Sequence, residues 1–447
     1  MGSRSDVTYT VPYGRGTVSF GLPEGVRGAV ARSGHLPPLV DPAAAAREAV
    51  RAPIGAAPLR ELARGKRRVV IAVTDATRAC PDHLLVPPML EELAAAGVPD
   101  DAITLLVAVG MHRASTEAEK REKLGDAIVD RYRIVDHNGS DRDQLTFVTD
   151  GPGGTPFYVN RLAVEADLLL ATGRVEPHQY GGYSGGGKGV AIGCAGAEII
   201  AYTHGPAMLD LPGTRLAALD GNPFQEAVRM VAKAVGLAFV GNIVMDDDER
   251  PVAIAYGAPE DVQNHLAEVA GKLYTAPIPH QFDIAVAGVG YPKDANLYQA
   301  SRAASYLQFA PVPVVRTGGV IIIPATCPEG AGEGVGEQQF KAEMSDPAGL
   351  DALIERARRD GIRPGAQRAY VMARVLQDVE VIIAGAECPD EVRAVGFLPA
   401  PSIERALSVA TSIVGTPATT LIVPHALLTL PVISPVMTTN RTAVSEH

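Results

Sequence analysis

The chain has 447 residues, more than one ordinary hydrophobic core needs, and this length predicts two domains. Its formal net charge is -11 with acidic and basic residues interspersed, which argues against nucleic acid or an anionic membrane as the main partner and favours a small-molecule ligand. The four cysteines show no paired spacing, so we expect reduced thiols rather than a disulfide framework or a zinc site. No apolar run reaches the length of a membrane span and no secretory leader pattern follows Met1, so we expect a cytoplasmic protein.

Short β-branched runs alternate with amphipathic segments through the first part of the chain. This alternation predicts a mainly parallel sheet covered by helices. The predicted strands are 68–74, 103–109, 133–136, 166–171, 237–244 and 252–256, and the predicted helices are 84–95, 116–124, 222–235 and 259–273. We assign residues 1–275 to an N-terminal α/β domain that carries most of the catalytic and ligand-binding motifs.

A proline-rich polar segment at 275–281 separates these elements from a second series. The second series has predicted strands at 282–287, 319–324, 379–384 and 419–423, and predicted helices near 350–359, 365–376 and 402–414. We place a smaller C-terminal α/β domain at 282–415 and predict that the tail, 416–447, returns to the first domain. The predicted fold is therefore two α/β domains with mainly parallel sheets and an active site in the cleft between them.

Polar side chains follow three of the predicted strands. Asp75 and Arg78 follow the first strand, His112 follows the second, and His178 follows a later one. Ligands of open parallel sheets bind beyond the carboxyl ends of the strands, so we expect these side chains to converge on one cleft. The Arg78 guanidinium suits a carboxylate, with Asp75 holding it in place. The alternative is that Asp75 caps a helix and Arg78 is a surface charge.

The two histidines in this set are candidates for proton transfer. An imidazole has an ordinary pKa of about 6.5 and can give or take a proton at neutral pH. We predict that His112 and His178 face a substrate from opposite sides. The alternative is that each is a structural histidine bonded to a loop carbonyl.

A glycine-rich run at 181–189 partly matches a phosphate-binding loop. Gly189 stands where magnesium binding needs Ser or Thr, so we do not expect an ordinary ATPase. The remaining prediction is a loop of backbone donors near an anion, with Lys188 as a charge or a covalent attachment point. Further along the chain, His204 is a candidate ligand for a soft transition metal.

Taken together, these motifs resemble the signature of the nickel-dependent lactate racemase family. The segments that carry the resemblance are Asp75-x-x-Arg78, Gly110-x-His112-Arg113, the PHQYGGYSGGGK run at 177–188, His204, Tyr291-Pro292-x-Asp294 and Tyr298-Gln299-Ala300. The resemblance covers most of the chain. It implies a racemase or epimerase that inverts the C2 carbon of a 2-hydroxy acid through a 2-keto acid, by hydride transfer to a nickel-pincer nucleotide.

The resemblance also implies a role for each motif residue. His112 and His178 match the general acid/base histidines, His204 the nickel ligand, and Lys188 the attachment point of a pyridinium-3,5-dithiocarboxylic acid-type mononucleotide. Further cofactor contacts fall on Asp75, Ser184, Gly185 and Gly186, and substrate contacts on Arg78, Tyr298, Gln299 and Arg302. Enzymes of cofactor synthesis are the implied maturation partners.

Two departures from the family pattern bear on the substrate. Arg302 stands at a position where the lactate-specific members that the chain resembles have a lysine. Those members also place a tryptophan against the substrate, whereas this chain has no tryptophan and residues 365–368 occupy the corresponding stretch. A longer or more polar substrate than lactate, including a sugar acid, is therefore an alternative. Two other classes stay open: a nucleotide- or phosphate-binding module without catalysis, and a zinc hydrolase, which requires three converging ligands.

Overall fold

A computed structural model describes residues 7–363 and 366–434 of the chain. Two six-stranded sheets form the centre of the structure, and shorter two-stranded pairings lie around them. In chain order the strands are β1 (Tyr9–Tyr13), β2 (Gly16–Phe20), β3 (Val26–Val30), β4 (Val69–Thr74), β5 (Ile103–Ala108), β6 (Arg133–Asp136), β7 (Leu145–Asp150), β8 (Pro156–Asn160), β9 (Leu168–Arg174), β10 (Pro177–His178), β11 (Gly182–Tyr183), β12 (Leu237–Met245), β13 (Pro251–Gly257), β14 (Thr275–Ile278), β15 (Phe282–Ala287), β16 (Val315–Pro324), β17 (Val379–Ala384), β18 (Leu398–Ala400), β19 (Ala418–Val423) and β20 (Leu430–Ile433).

Helices cover both faces of the two large sheets. In chain order they are α1 (Pro42–Arg51), α2 (Leu59–Leu62), α3 (Asp82–Ala95), α4 (Glu117–Leu124), α5 (Asp126–Val129), α6 (Arg161–Val164), α7 (Lys188–Ala191), α8 (Ala197–Thr203), α9 (Pro206–Leu209), α10 (Pro223–Ala234), α11 (Pro259–Tyr274), α12 (Leu297–Ala300), α13 (Arg302–Gln308), α14 (Val335–Met344), α15 (Gly349–Asp360), α16 (Gln367–Asp378), α17 (Pro389–Ala394) and α18 (Ile403–Val414). Short 3-10 turns occur at Asp100–Ala102, Arg142–Gln144 and Pro152–Gly154. Among the described residues, no helix combines the length and apolarity that a membrane span requires.

The first large sheet has the strand order β13-β12-β9-β4-β5-β6. All neighbours are parallel except β12 and β13. Five of the six residues of β4 are buried, as expected for a strand covered by helices on both faces. The predicted alternation of strands and helices is confirmed here.

The second large sheet has the order β18-β17-β16-β15-β19-β3, and all its pairs are parallel. Its core is built from β-branched residues of β15, β16 and β17, which pack between the flanking helices. Two α/β domains with mainly parallel sheets are therefore confirmed as the fold class.

The domain membership of both chain ends differs from the sequence prediction. Residues 1–275 were predicted to form the first domain, but β3 pairs with β19 in the second sheet. Phe20 and Val11 of the β1–β2 hairpin belong to the hydrophobic cluster of that same sheet. An amphipathic hairpin far along the chain from its partner gives no local signal of where it docks, because long-range packing decides its place.

The tail also differs from the prediction that 416–447 returns to the first domain. Strand β19 lies inside the second sheet between β15 and β3, and β20 pairs with β14, which connects the two large units. Residues 435–447 and residue 365, the predicted start of the helix that is α16, lie outside the described part of the chain.

The order of strands reverses at one point in each large sheet. In the first sheet the reversal lies between β4 and β9, and in the second it lies between β15 and β19. Such points leave a crevice at the carboxyl ends of the strands, where open α/β sheets bind ligands. The loops that follow all four strands line one shared cleft.

Truncation of Phe20 tests whether the hairpin packs on the second sheet. This side chain is 2 % exposed, so Phe20→Ala is expected to lower the free energy of unfolding by about 3–5 kcal/mol. Phe147→Ala is the matched control, because Phe147 is 49 % exposed and its loss should cost no more than about 1 kcal/mol. Urea unfolding followed by circular dichroism measures both. Equal stability of the two variants would contradict the docking of the hairpin.

Candidate active site

The shared cleft has a volume of about 1370 Å³ and receives side chains from both large sheets. Nine of the predicted site residues line it: Arg78, His112, His178, Ser184, Gly185, Lys188, His204, Tyr298 and Arg302. Three others do not line it: Asp75 and Gln299 contact His112 and Arg302 of the cleft, and Gly186 lies in the glycine-rich loop and donates to Asn242. The structure therefore brings the predicted residues to one place.

His112 and Asp75 form a hydrogen-bonded pair at the carboxyl ends of β5 and β4. The distance from His112 Nδ1 to Asp75 Oδ2 is 2.6 Å, and Thr77 Oγ1 donates to Asp75 Oδ1 at 2.8 Å. Burial by itself would raise the pKa of the Asp75 carboxyl, but the hydrogen bonds from His112 and Thr77 and the charge of Arg78 bring that pKa below its usual value. An ionised carboxylate only accepts, so Nδ1 of His112 carries a proton and Nε2 of the neutral ring is left with a lone pair.

His178 has the opposite arrangement of its ring nitrogens. The backbone N–H of Gly181 donates to His178 Nδ1 at 3.0 Å, so the neutral ring carries its proton on Nε2. Burial, followed by the positive charge of Lys188 and the neighbouring His204, holds the pKa of His178 well below its usual value. The cleft thus contains one histidine with a free lone pair and one with an N–H donor.

His204 lies just after α8 with one nitrogen already engaged. Its Nδ1 is 3.2 Å from the carbonyl oxygen of Ile200 and 2.9 Å from Thr203 Oγ1, and the ring packs edge-on against Phe224 at 5.3 Å. Burial and the charge of Lys188 lower the pKa of His204 to about 4. The ring is therefore neutral at pH 7, and Nε2 is the nitrogen left to bind a ligand or a metal ion.

Lys188 begins the short helix α7 on the wall of the cleft. Burial, followed by the charge of Arg78, lowers the pKa of the Lys188 ammonium to about 7. Among the described residues it has no carboxylate within ion-pairing distance. The lowered pKa favours the unprotonated amine, the state in which a lysine acts as a nucleophile.

The glycine-rich loop is held by its own hydrogen bonds. Ser184 Oγ donates to the carbonyl of Arg174 at 2.7 Å, and the Gly186 N–H donates to Asn242 Oδ1 at 2.8 Å. Gly185 has a φ of +81°, and a Cβ there would lie 2.5 Å from Val175 Cγ2. Ser184 and Gly186 therefore set the shape of the loop, and the glycine at 185 permits the close approach of its backbone to β9.

A buried ion pair beneath the cleft was not found by sequence reasoning. Asp82 at the start of α3 is fully buried, and Lys123 Nζ of α4 lies 3.0 Å from its Oδ2. Lys123 also donates to the carbonyl oxygen of Arg78 at 3.0 Å, and Thr74 Oγ1 donates to Asp82 at 2.5 Å. These contacts fix the loop that carries Asp75 and Arg78. The only sequence signal was an acidic residue at a helix start.

The cleft has two walls: the first is formed by loops of the first large sheet, and the second by loops of the second large sheet. The second wall includes the β1–β2 turn, which the sequence analysis placed in the first domain. The Gly14 N–H of the β1–β2 turn donates to Asp294 Oδ2 at 2.6 Å, and its carbonyl accepts from the Tyr291 N–H at 2.9 Å. The guanidinium of Arg15 lies 3.8 Å from the centre of the Tyr291 ring. The hairpin therefore braces the loop that leads to Tyr298 and Arg302.

Arg302 forms only weak contacts on this wall. Its Nη1 is 3.5 Å from Gln299 Oε1 and its Nη2 is 3.4 Å from the Tyr306 hydroxyl. Its buried Nε has no hydrogen-bond partner among the described residues. Gln299, predicted as a substrate contact, is placed here as a partner of Arg302. A guanidinium held this loosely can turn toward a ligand.

The stretch 365–368 was predicted to fill the position of a family tryptophan. Residue 365 lies outside the described part of the chain. Arg368 is buried behind Tyr298, with its guanidinium 5.7 Å from the ring centre, and it donates to Ser305 Oγ at 3.0 Å. It does not line the cleft.

The described residues contain no group of three His, Cys, Asp or Glu side chains positioned to hold a metal ion. A catalytic zinc site has three protein ligands, so within 7–363 and 366–434 the zinc hydrolase alternative has no ligand set. A metal ion that takes its other ligands from a bound cofactor needs only one histidine from the protein, so it does not require such a cluster.

Comparison with known proteins gives a consistent result over both domains. The family model described as the lactate racemase N-terminal domain matches residues 13–216, and that of the lactate racemase C-terminal domain matches residues 279–430. The lactate racemase of Thermoanaerobacterium thermosaccharolyticum is 30% identical over 417 residues, covering 93% of this chain and 96% of that protein. The lactate racemase of Lactiplantibacillus plantarum is 32% identical over 378 residues, covering 84% of this chain and 87% of that protein.

Solved structures agree with this result. The lactate racemase apoprotein from Thermoanaerobacterium thermosaccharolyticum superposes with a TM-score of 0.86 at 28% identity, over 95% of this chain and 100% of that one. A protein from Thermotoga maritima superposes with a TM-score of 0.63 at 20% identity, over 87% of this chain and 98% of that one, and shares the fold. This chain belongs to the lactate racemase family and is an isomerase of that kind.

Proposed function

We propose that the chain inverts C2 of a 2-hydroxy acid, lactate being the substrate named for its relatives, and that it does so with a bound nickel-pincer nucleotide. The observation that carries the proposal is the convergence of His112, His178, His204 and Lys188 on one cleft that also contains unpaired guanidinium donors. Burial and neighbouring positive charge lower the pKa values of His178, His204 and Lys188, which favours their uncharged forms. A larger hydroxy acid or a sugar acid with the same cofactor is the nearest alternative.

Arg78 and Arg302 are proposed to bind the substrate carboxylate from the two walls. A guanidinium offers a planar pair of donors that matches a carboxylate, and Arg302 has donors to spare because its present contacts are weak. Gln299 orients Arg302, and Tyr298 lines the cleft next to it. This grip would place C2 of the acid between the two histidines.

His112 is proposed as the base that takes the hydroxyl proton. Its Nε2 has the lone pair, and the Asp75 carboxylate at Nδ1 stabilises the imidazolium that forms. Direct removal of the C2 proton would build negative charge beside an existing carboxylate, whereas loss of the hydroxyl proton together with hydride from C2 leaves a neutral, planar keto group. The nickel-pincer nucleotide, held by Lys188 and His204, would supply the hydride-transfer chemistry that the inversion requires.

His178 serves the other face of the substrate, with its proton initially on Nε2. In that form it donates a hydrogen bond to the substrate oxygen. It acts as the base for the second enantiomer only after the proton has moved off Nε2, which requires a rearrangement at Gly181 because that N–H now donates to Nδ1. The two directions of the reaction therefore start from histidines in different tautomers, with the proton on Nδ1 of His112 and on Nε2 of His178.

The residues of the cleft fit the cofactor that the family implies. His204 offers a neutral Nε2 whose partner nitrogen is already hydrogen-bonded, the usual condition of a metal-binding histidine. Lys188 offers an amine that is partly unprotonated at neutral pH and able to form a thioamide with a cofactor arm. Gly185, three residues before Lys188, lines the same cleft, and its φ of +81° favours glycine. Cofactor-synthesis enzymes are the proposed maturation partners.

Attachment of the cofactor is tested by intact mass and nickel content. Protein co-expressed with a cofactor-synthesis pathway is expected to carry a nickel-bearing adduct that Lys188→Ala abolishes, because the amine forms the link. Lys233→Ala, at an exposed position on α10, is the matched control and should keep the adduct. Nickel without a mass adduct would contradict the covalent link. If well-folded protein carried neither nickel nor an adduct, that result would contradict the racemase proposal and favour a binding module.

The roles of the histidines are separated by three alanine variants. His112→Ala and His178→Ala are each expected to lower kcat by about 10²–10⁴-fold while nickel stays bound, because only proton transfer is lost. His204→Ala is expected to lose the metal. Racemisation is followed by circular dichroism and nickel by elemental analysis of the same samples. Retained activity in both of the first two variants would contradict proton transfer by these residues.

The lowered pKa of Lys188 predicts the pH dependence of its chemical modification. A lysine amine reacts only when unprotonated, so the reaction rate of Lys188 with a small isocyanate should rise through about pH 7 and then level off. The exposed Lys233 on α10 is the comparison site in the same samples. Peptide mass spectrometry of the cofactor-free protein reports both sites at once. Parallel profiles for the two lysines would show that burial does not lower the Lys188 pKa.

A further inference from the structure

The second wall of the cleft carries more positive charge than its own acidic groups neutralise. Arg15, Lys293 and Arg302 line this wall, and none of the three forms an ion pair with a described residue. Glu337 lines the same wall and Asp294 lies behind it, but neither carboxylate forms an ion pair with these three cations. The wall therefore presents uncompensated cations to whatever occupies the cleft.

On the first wall, two of the arginines form ion pairs. Arg174 Nε lies 3.0 Å from Glu176 Oε2, and Arg113 forms an ion pair with Glu119. The remaining acidic groups of the cleft lie at the β12–β13 turn, where Asp246 pairs with Arg250. Glu176 is thus paired with Arg174, although its charge also acts on Lys293.

Lys293 is the cation on the second wall that the proposed carboxylate grip does not use. Its position follows β15, at the point where the strand order of the second sheet reverses. Burial in the cleft, followed by the charges of Arg302 and Arg78, lowers the pKa of the Lys293 ammonium. Lys293 is therefore close enough to Arg302 and Arg78 to be repelled by both. A single carboxylate bound between the two arginines leaves the lysine unpaired.

The cofactor does not account for this charge in the proposed arrangement. The attachment lysine, the glycine-rich loop and His204 all belong to the first wall, and Lys293 and Arg302 face them from the second. Arg302 also has a buried Nε without a hydrogen-bond partner among the described residues, so this guanidinium has a donor available for an anion.

We propose that Lys293 is a second anion-binding residue of the cleft and that the preferred substrate is a 2-hydroxy dicarboxylic acid. This inference rests on the proposed function. The C1 carboxylate lies between Arg78 and Arg302, and the second carboxylate pairs with the Lys293 ammonium. No bond is made or broken at the second carboxylate, so its role is binding and orientation.

The inference is tested with unreactive analogues on the cofactor-free protein. Succinate and butyrate have the same four-carbon chain and differ in one terminal carboxylate, so calorimetry of both isolates the second charge. Wild type is expected to bind succinate about 10- to 100-fold more tightly than butyrate, and Lys293→Met should remove that ratio. Lys293→Arg should retain it because the charge is kept, and Lys233→Met, at an exposed position away from the cleft, is the matched control.

Three results would overturn the inference. Equal binding of succinate and butyrate by wild type, or no binding of either, would show that the cleft has no second carboxylate site. If Lys293→Met lowered the affinities for succinate and butyrate by the same factor, the lysine would have a structural role in the wall and would not bind the second carboxylate. If inorganic phosphate displaced succinate and Lys293→Met weakened phosphate binding, the lysine would instead bind the phosphate of a nucleotide.

Racemisation by the loaded enzyme separates this inference from the proposed function. Conversion of 2-hydroxysuccinate with a higher kcat/KM than 2-hydroxybutyrate supports both. Conversion of 2-hydroxybutyrate alone would overturn the dicarboxylate inference and leave the proposed function standing. Selective succinate binding with no racemisation of either acid would overturn the proposed function and retain the anion site.

Discussion

The structure depends on the meeting of two parallel sheets at their carboxyl edges. A parallel sheet sends every loop that follows a strand to the same edge, and the reversal of strand order opens a crevice there. In this chain the crevices of the two sheets open into one cleft, so loops after β4, β5 and β9 face loops after β15 and β19. Residues far apart in the sequence therefore share one site, and each sheet keeps an uninterrupted apolar core.

Buried polar contacts turn this cleft into a defined chemical environment. The Asp82–Lys123 pair fixes the loop that carries Arg78 by binding its backbone, and the Asp75 carboxylate fixes the proton of His112. Breaking such a pair by removing one partner would leave an uncompensated charge in the interior, which is strongly unfavourable. Rigid placement of the acid/base groups follows from these contacts, because the loops have few other means of holding a single conformation.

The same environment keeps several basic groups uncharged. His178, His204 and Lys188 all have lowered pKa values, since each is buried and lies within reach of other cations. Neutral nitrogens can bind a metal, attack an electrophile or accept a proton, whereas their protonated forms cannot. The cations of the cleft therefore favour the uncharged state of the groups to which the proposed function assigns metal binding and nucleophilic attack.

The sequence by itself determined the α/β class, all six strands of the first large sheet, four of the six strands of the second, and nine of the residues that line the cleft. Strand ends could be read from buried β-branched runs, and a reactive side chain directly after such a run, such as His112, is placed by sheet geometry alone. Tertiary structure decided the rest. The β1–β3 segment and β19 join one sheet only through pairing between opposite ends of the chain, and Lys123, Arg15 and Lys293 reach the site through packing that leaves no periodic signal. The proton positions on His112 and His178 likewise depend on partners, a carboxylate in one case and a backbone N–H in the other, that only the folded chain brings within hydrogen-bonding distance.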